Sequence, residues 1–374
     1  MRRPVLSCLS LLPLAWPLLL LALLLVAWSG VVEGASLRIA TFNIAWLANE
    51  PLPDMAAVAT CQREASRSPT LDSRPTPLCR QGIFRTAGAY RLLARSIAAL
   101  HADVLAVQEV EGDAALARVL GLASTWHPRQ STVSATDAVA RIQESADWWW
   151  VTNPLPRHGK QRVALAVRRS KVRAIRVISV PELGVPLQRE ARGGLLVQLT
   201  PVQGEPFQVL VLHLKSGCRA AGLANATDPA CQQLAAQGKI LASLLRQWQA
   251  QKVPMILLGD FNRAFDEEPK VAACSSLDQP CVSLWARLAG QLPADAEPEL
   301  LTRGFRQPRG CYSSRYGRGP IDHILLTGGL RGHALPESLT AEPFLDPAHP
   351  GQLHAYAYRF LSDHCPLRVD LTWP

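Results

Sequence analysis

A series of short apolar runs, each of strand length and each bounded by a polar residue, constrains this chain more than any other feature. Residues 36–43, SLRIATFN, alternate apolar and polar positions and end on Asn43. Residues 103–109, DVLAVQE, close on Gln108 and Glu109. RVALAVR at 162–168 and the segment 194–200 read as further strands, and FQVLVLH at 207–213 ends on His213. PMILLGDFN at 254–262 delivers Asp260 and Asn262, PIDHILL at 320–326 starts beside Asp322, and SDHCPLRVDL at 362–371 carries Asp363 and His364 at its head. Period-two alternation and brief apolar runs indicate strands that are half or fully buried. Taken singly, an Asn or Asp after a strand is a turn residue, and a lone His is a hydrogen-bonded structural one. Taken together they are harder to dismiss. Strand ends of packed sheets can converge on one edge, where burying carboxylates, amides and imidazoles is costly without purpose.

Helical spacing appears at 85–100 (RTAGAYRLLARSIAAL), at about 112–121 and over 229–251. The stretch 49–84, rich in Pro, Ser, Thr and Arg, reads as a long surface loop. No internal repeat is present. Strands and helices mix without regular βαβ alternation, which favours an α+β sandwich of two sheets over a doubly wound sheet.

Of 374 residues, 48% are hydrophobic and 18% charged, a balance that supports a substantial core and argues against disorder. The chain starts with Arg2 and Arg3, then a Leu-rich run, then Val32 and Gly34 placed as in a cleavage site before Ala35. This is the pattern of a secretory signal peptide over residues 1–34. The alternative is an uncleaved membrane anchor, since the run is long enough to span a bilayer. No second apolar segment of that length follows, so residues 35–374 are expected to carry no membrane span. The formal charge is +9, and losing Arg2, Arg3 and Glu33 with the leader leaves +8. A basic surface attracts nucleic acid or anionic membrane, or is simply Arg-rich and solvated. Of nine cysteines, Cys8 lies in the leader and the remaining even set fits disulfides in an exported chain. No CxxC zinc spacing occurs. Short loops pair as Cys61–Cys79, Cys218–Cys231 and Cys274–Cys281, which leaves Cys311 with Cys365; this connectivity is one of many.

TFNIAWL, AVQEVEG, LVLHLKSGC, LLGDFN, PIDHILL and LSDHCPL resemble, in this order, the signature segments of the endonuclease/exonuclease/phosphatase family. Pancreatic deoxyribonuclease, base-excision endonucleases, neutral sphingomyelinases and inositol polyphosphate phosphatases belong to it. The resemblance runs from about residue 36 to residue 372, with GDFN and SDH its more specific segments. It implies a four-layer α/β/β/α sandwich of two packed, mostly antiparallel mixed sheets, and divalent-metal-dependent phosphodiester hydrolysis. Glu109 matches the metal-binding glutamate, with Asn43 and Asp363 beside the metal. Mg2+ is the implied ion, with Mn2+ or Ca2+ as alternatives; a hard cation prefers such oxygen ligands. His364 matches the general base or phosphate contact, and Asp322 the carboxylate that fixes its tautomer. Asp260 and Asn262 match the pair that orients water and phosphate oxygens. His213 matches a second histidine facing the leaving oxygen. Either Asp260 or the His364/Asp322 pair could activate the water. Arg162, opening RVALAVR, matches a phosphate contact, against the alternative of a surface arginine; Lys215 is a phosphate contact or a solvated loop residue. The carboxylate that usually buttresses the histidine at position 213 is not identifiable, Glu144 and Asp147 being candidates.

The fold does not fix the substrate. A nuclease acting on DNA, and on RNA as a variant of the same reading, is the first expectation. Arg309, Arg315 and Arg318 interleave with Tyr312 and Tyr316 just before Asp322, and arginines with aromatics can hold phosphates and stack on bases. Trp148, Trp149 and Trp150 either pack in the core, the more common role, or reach the site. A sphingomyelinase-like phospholipid phosphodiesterase or a phosphatase is the alternative, although no exposed apolar hairpin is evident; a catalytically inactive binding protein is the third class. Periplasmic and extracellular destinations look alike from a leader. A monomer without a stable protein partner is assumed.

Overall fold

The computed structural model describes residues 36–67, 85–121, 142–153, 161–184, 193–274, 276–290, 292–293, 296–308, 311, 319–346, 349–353 and 361–372. All of them fall in the unit Ser36–Pro374. In chain order the strands are β1 (Ser36–Leu47), β2 (Val104–Val110), β3 (Gln143–Glu144), β4 (Trp148–Thr152), β5 (Arg162–Arg168), β6 (Val172–Val180), β7 (Gly194–Pro201), β8 (Phe207–His213), β9 (Met255–Asp260), β10 (Glu299–Leu300), β11 (Asp322–Thr327), β12 (Thr340–Ala341), β13 (Leu345–Asp346), β14 (His349–Leu353) and β15 (Leu367–Thr372). The α-helices are α1 (Met55–Arg67), α2 (Ala87–Ala99), α3 (Asp113–Val119), α4 (Pro229–Ala250) and α5 (Leu284–Ala289).

The strands form a seven-stranded sheet in the order β12-β15-β1-β2-β5-β4-β3, a six-stranded sheet in the order β10-β11-β9-β8-β7-β6, and the separate hairpin β13-β14. Among the described strands, β1–β2 and β8–β9 pair in parallel and the other neighbours are antiparallel. Side chains alternate between faces along a strand, and this parity builds the layers. On the first sheet Ala40, Phe42, Leu105, Val107, Ala164 and Ala166 pack with Tyr90, Leu93 and Ile97 of α2 and Leu116 of α3. On the second, Leu210, Leu212, Leu257 and Leu325 pack with Leu234, Leu241 and Leu245 of α4 and Leu284 of α5. The intervening residues of β1, β2 and β5 therefore face β7, β8, β9 and β11, strands they contact across the sandwich. The result is the four-layer α/β/β/α sandwich.

Local chemistry explains the flanking helices. In α2 the buried positions Ala89, Tyr90, Leu93 and Ile97 fall on one face, as period 3.6 requires. In α4 Asp228 caps the N-terminus by accepting from the N–H groups of Ala230 and Cys231, and Pro229 fills the first turn where no donor is needed. Each fully buried Leu on these faces contributes about 1.5–3 kcal/mol over its exposed state.

Two elements correct the reading from sequence. The stretch 49–84 is not all loop: it contains α1, whose Cys61 and Val58 are buried. Arg173 and Arg176 interrupt the apolar pattern of β6 and hide it in the sequence; it is a sheet edge, where exposed arginines are tolerated. Disulfides join Cys218 to Cys231, Cys274 to Cys281 and Cys311 to Cys365. Cys61 is also disulfide-bonded, and Cys79 lies outside the described residues. No helix among the described residues is long and apolar enough to cross a membrane.

Candidate active site

The inward parity that builds the sandwich also builds the site. Asn43 and Gln108 are register partners at the ends of β1 and β2, and His213 and Asp260 at the ends of β8 and β9. Asp322 opens β11 opposite Asp260. All lie on inward faces at one end of the sandwich, so the two sheets present their polar residues to one another. Asn43 is 1% exposed, His213 2%, Asp260 2% and Asp322 3%.

Two backbone irregularities aim the remaining groups. By alternation Glu109 would point outward with Leu105 and Val107. Instead the register slips between Gln108 and Val110, and Glu109 adopts a φ of 64° in the left-handed region. A bulge of this kind re-aims a side chain, and Glu109 Oε1 accordingly sits 3.4 Å from Asn43 Nδ2 and 3.6 Å from His213 Nε2. In GDFN the glycine is required: Gly259 has a φ of +135°, and a Cβ there would lie 2.1 Å from the Leu212 carbonyl oxygen. Asn262, at a φ of 52°, donates its backbone N–H to Asp260 Oδ1 at 2.7 Å and its amide to the Leu214 carbonyl at 3.0 Å.

Asp260 is the hub. Its Oδ2 accepts from Asn43 Nδ2 at 2.9 Å and lies 3.5 Å from His213 Nε2 and 4.0 Å from His364 Nε2. His364 turns Nδ1 to Asp322 Oδ2 at 2.7 Å, which leaves Nε2 toward the site, 4.0 Å from half-buried Asp363. Burial pushes the Asp260 carboxyl up to about 7, Asp322 adds to it, and His364 with the hydrogen bonds from Asn262 and Asn43 oppose it. For His364 burial works against the charge, but Asp322, Asp363 and Asp260 outweigh it and hold the imidazole well above its ordinary value.

Four carboxylates thus crowd around two imidazoles and one amide. One donor atom each from Asp260, Asp322 and His364 lie within 4.8 Å of one another, and Asp322 Oδ1 is buried without a hydrogen-bond partner among the described residues. With Glu109 3.6 Å from His213 beside this trio and Asp363 4.0 Å from His364, carboxylate oxygens are in surplus at this end of the sandwich, which fits a hard divalent cation.

Other candidates stand apart. Arg162 opens β5, and its buried Nε has no partner among the described residues; its neighbour Gln161 reaches the site instead, donating Nε2 to Glu109 Oε2 at 2.6 Å. Lys215 is fixed through its backbone N–H by Gln237, and its side chain makes no bond among the described residues. Arg309, Arg315 and Arg318 lie outside the described residues. The tryptophans do not reach the site. Trp148 pairs with Arg168, at the end of β5 away from Arg162, and lies under its guanidinium at 4.1 Å, while Trp150 is wholly buried. Glu144 and Asp147 belong to that same distant turn and do not buttress His213. In the sequence Gln161 is an uncharged residue beside Arg162 and carries no signal of this contact.

A family model described as the endonuclease/exonuclease/phosphatase family matches residues 40–364. No curated protein matches the chain. Among solved structures, a truncated TDP2 from Caenorhabditis elegans shares 13% identity at a TM-score of 0.46, covering 90% of this chain and 98% of that one. An endonuclease/exonuclease/phosphatase family protein from Bacteroides thetaiotaomicron shares 12% at a TM-score of 0.48, covering 91% and 96%. The 3'-5' exonuclease NExo from Neisseria meningitidis shares 16% at a TM-score of 0.41, covering 90% and 100%. Overlaps this loose assign no residue a role.

Proposed function

Because the chain belongs to the endonuclease/exonuclease/phosphatase family and is a phosphoester hydrolase of that type, we propose that it is an exported nuclease. It hydrolyses phosphodiester bonds of DNA, and of RNA as a second substrate, with a divalent cation, Mg2+ first. In this reading residues 1–34 are a signal peptide and residues 35–374 the catalytic domain, which acts as a monomer. The observation that carries the reading is the convergence of Glu109, His213, Asp260, Asp322 and His364 at one end of the sandwich with negative charge in excess.

Glu109 and Asn43, with Asp363 near the mouth, would hold the cation, which when bound would neutralise charge developing on the phosphoryl oxygens. Asp260 is the proton acceptor for the attacking water: with its carboxyl up near 7 it is a far better base than an ordinary aspartate and is still partly ionised at neutral pH. Asn43 and the Asn262 N–H fix the orientation of that carboxylate. His364 stays protonated because Asp322 holds it so, which suits it to binding a phosphoryl oxygen rather than removing a proton. His213 faces the leaving oxygen.

Two features support nucleic acid as the substrate. The chain without its leader carries +8. Cys311 and Gly319, the described residues that bracket Arg315 and Arg318 in the sequence, are also each held close to catalytic residues. Cys311 bonds to Cys365, the residue after His364. Gly319, three residues before Asp322, donates its N–H to Glu267 at 2.7 Å and accepts from Arg219. The test is plasmid nicking by the purified mature chain with Mg2+, beside an EDTA control. Nicking that EDTA abolishes is the expected result. An intact plasmid with hydrolysis of bis-p-nitrophenyl phosphate would replace the nuclease reading with a phospholipid or small-ester substrate. Inertness toward both would overturn the assignment of the site.

A further inference from the structure

Arg85 is a cation only 5% exposed. It lies immediately before Thr86, the N-cap of α2. Its guanidinium donates to the carbonyls of Ile44, Ala45 and Trp46, which follow Asn43 on β1, and to the carbonyl of Leu361. Ala45 and Trp46 adopt φ values of 53° and 65°, a left-handed path that costs non-glycine residues about 1–2 kcal/mol each and here turns successive carbonyls toward one cation. Leu361 leads directly into Ser362, whose hydroxyl donates to the Asn43 carbonyl at 2.8 Å and accepts from the His364 N–H at 3.0 Å. One side chain therefore ties the segment carrying Asn43 to the turn carrying Asp363 and His364.

We propose that Arg85 is a positioning residue that sets the spacing between the Asn43 and His364 halves of the active site. Its planar fork can serve carbonyls from two segments at once; the ammonium of a lysine is a point donor on a flexible stem and cannot hold that set. The charge is retained at neutral pH: burial lowers it to about 10, while Tyr90, Glu109 and Asp363 act to raise it. The side chain makes no substrate contact in this role, so it acts through the two segments it joins.

The inference rests on the proposed hydrolytic reading where activity is the readout. Arg85→Ala and Arg85→Lys are compared with the wild type on bis-p-nitrophenyl phosphate. The expected result is a fall in kcat of about 100-fold, the scale of a misplacement near 1 Å, with KM changed by less than ~3-fold. Guanidinium ion should restore part of the lost kcat of Arg85→Ala, and urea, planar but neutral, should not. Hydrogen exchange should quicken in residues 43–47 and 361–366 and stay unchanged in the β6–β7 pairing. A folded Arg85→Lys protein with wild-type kcat overturns the proposal. So does global unfolding of both variants, which would make Arg85 a core residue only; if Arg85→Ala alone fails to fold, Arg85→Lys carries the test. A wild-type protein without esterase activity defeats the hydrolytic reading, and hydrogen exchange still decides the role of Arg85.

Discussion

Two buried histidines sit one on each side of the second sheet and have opposite fates. His364 faces inward among Asp322, Asp260 and Asp363 and is held well above its ordinary value. His323, next to Asp322 in sequence, points to the other face of β11. There its Nε2 donates to the Arg263 carbonyl at 2.7 Å and Nδ1 meets Thr302, between the rings of Phe261 and Phe265. Burial pushes it down to about 3. Burial alone neutralises an imidazole; the company it keeps decides whether it charges. The surroundings repeat the contrast. Behind His323, Glu268 is saturated by Arg263, the Ser283 hydroxyl and the N–H groups of Leu284 and Trp285, so charge there is matched within the protein. Around His364 carboxylates outnumber cations, and the balance comes from protonation, as at Asp260, or from ligands. Matched buried polarity holds the fold, and unmatched buried polarity does chemistry.

The largest expected effect tests the unmatched side. Asp260→Asn and His364→Ala should each lower kcat about a thousand-fold, within the range for losing a positioned proton-transfer or charge-stabilising group. For Asp260→Asn the metal-free thermal midpoint should fall little, because losing that carboxylate charge relieves a crowded cluster, whereas His364→Ala strands the buried Asp322 carboxylate and should lower it. A collapsed midpoint with modest activity loss would place these residues with the structural set. On the matched side the pattern reverses. Glu268→Ala strands the Arg263 guanidinium in the interior, and breaking a buried pair by removing one partner costs about 3–5 kcal/mol. Urea denaturation should show that loss while kcat per folded molecule stays unchanged. Lost activity with full stability would join the two regions functionally and end the distinction.

Much of this contrast was legible in the sequence because strand parity is local. Asn43, Asp260 and Asp322 lie on inward faces of short apolar runs, and the ends of those runs were visible as changes in polarity. The irregular mixing of strands and helices favoured a sandwich of two sheets, and the resemblance of the signature segments implied its four layers. What stayed hidden depends on non-local backbone. The resemblance names Glu109, but strand alternation alone turns its side chain outward until its bulge is known. Arg85 stands at the start of a helix, where a cation is disfavoured by the macrodipole. That was a faint signal of another duty, but the carbonyls it binds come from segments about forty and nearly three hundred residues away. His323 and His364 also look alike as letters in DH pairs at 322–323 and 363–364. Only the pairing of β11 with β9 and the turn before β15 sends one to each face.

The smallest effect gives the sharpest test of that pair. His323 has a folded value near 3, below the unfolded value near 6.5. Its contribution to stability is therefore complete above about pH 6.5 and is lost as pH falls toward 3, by up to about 1.4 kcal/mol per pH unit. His364 has the opposite sign. Its folded value is raised, so its contribution is complete below about 6.5 and is lost as pH rises through the folded value. His323→Gln removes the first titration, retains a donor and an acceptor, and leaves the second untouched. Urea denaturation of both proteins at pH 7 and pH 5 should show the wild type losing about 2 kcal/mol more than the variant. The carboxylates and His364 are common to both proteins and cancel in that difference. Equal losses would mean that His323 charges without penalty in the folded protein, and the two faces of β11 would then not differ in how they treat an imidazole.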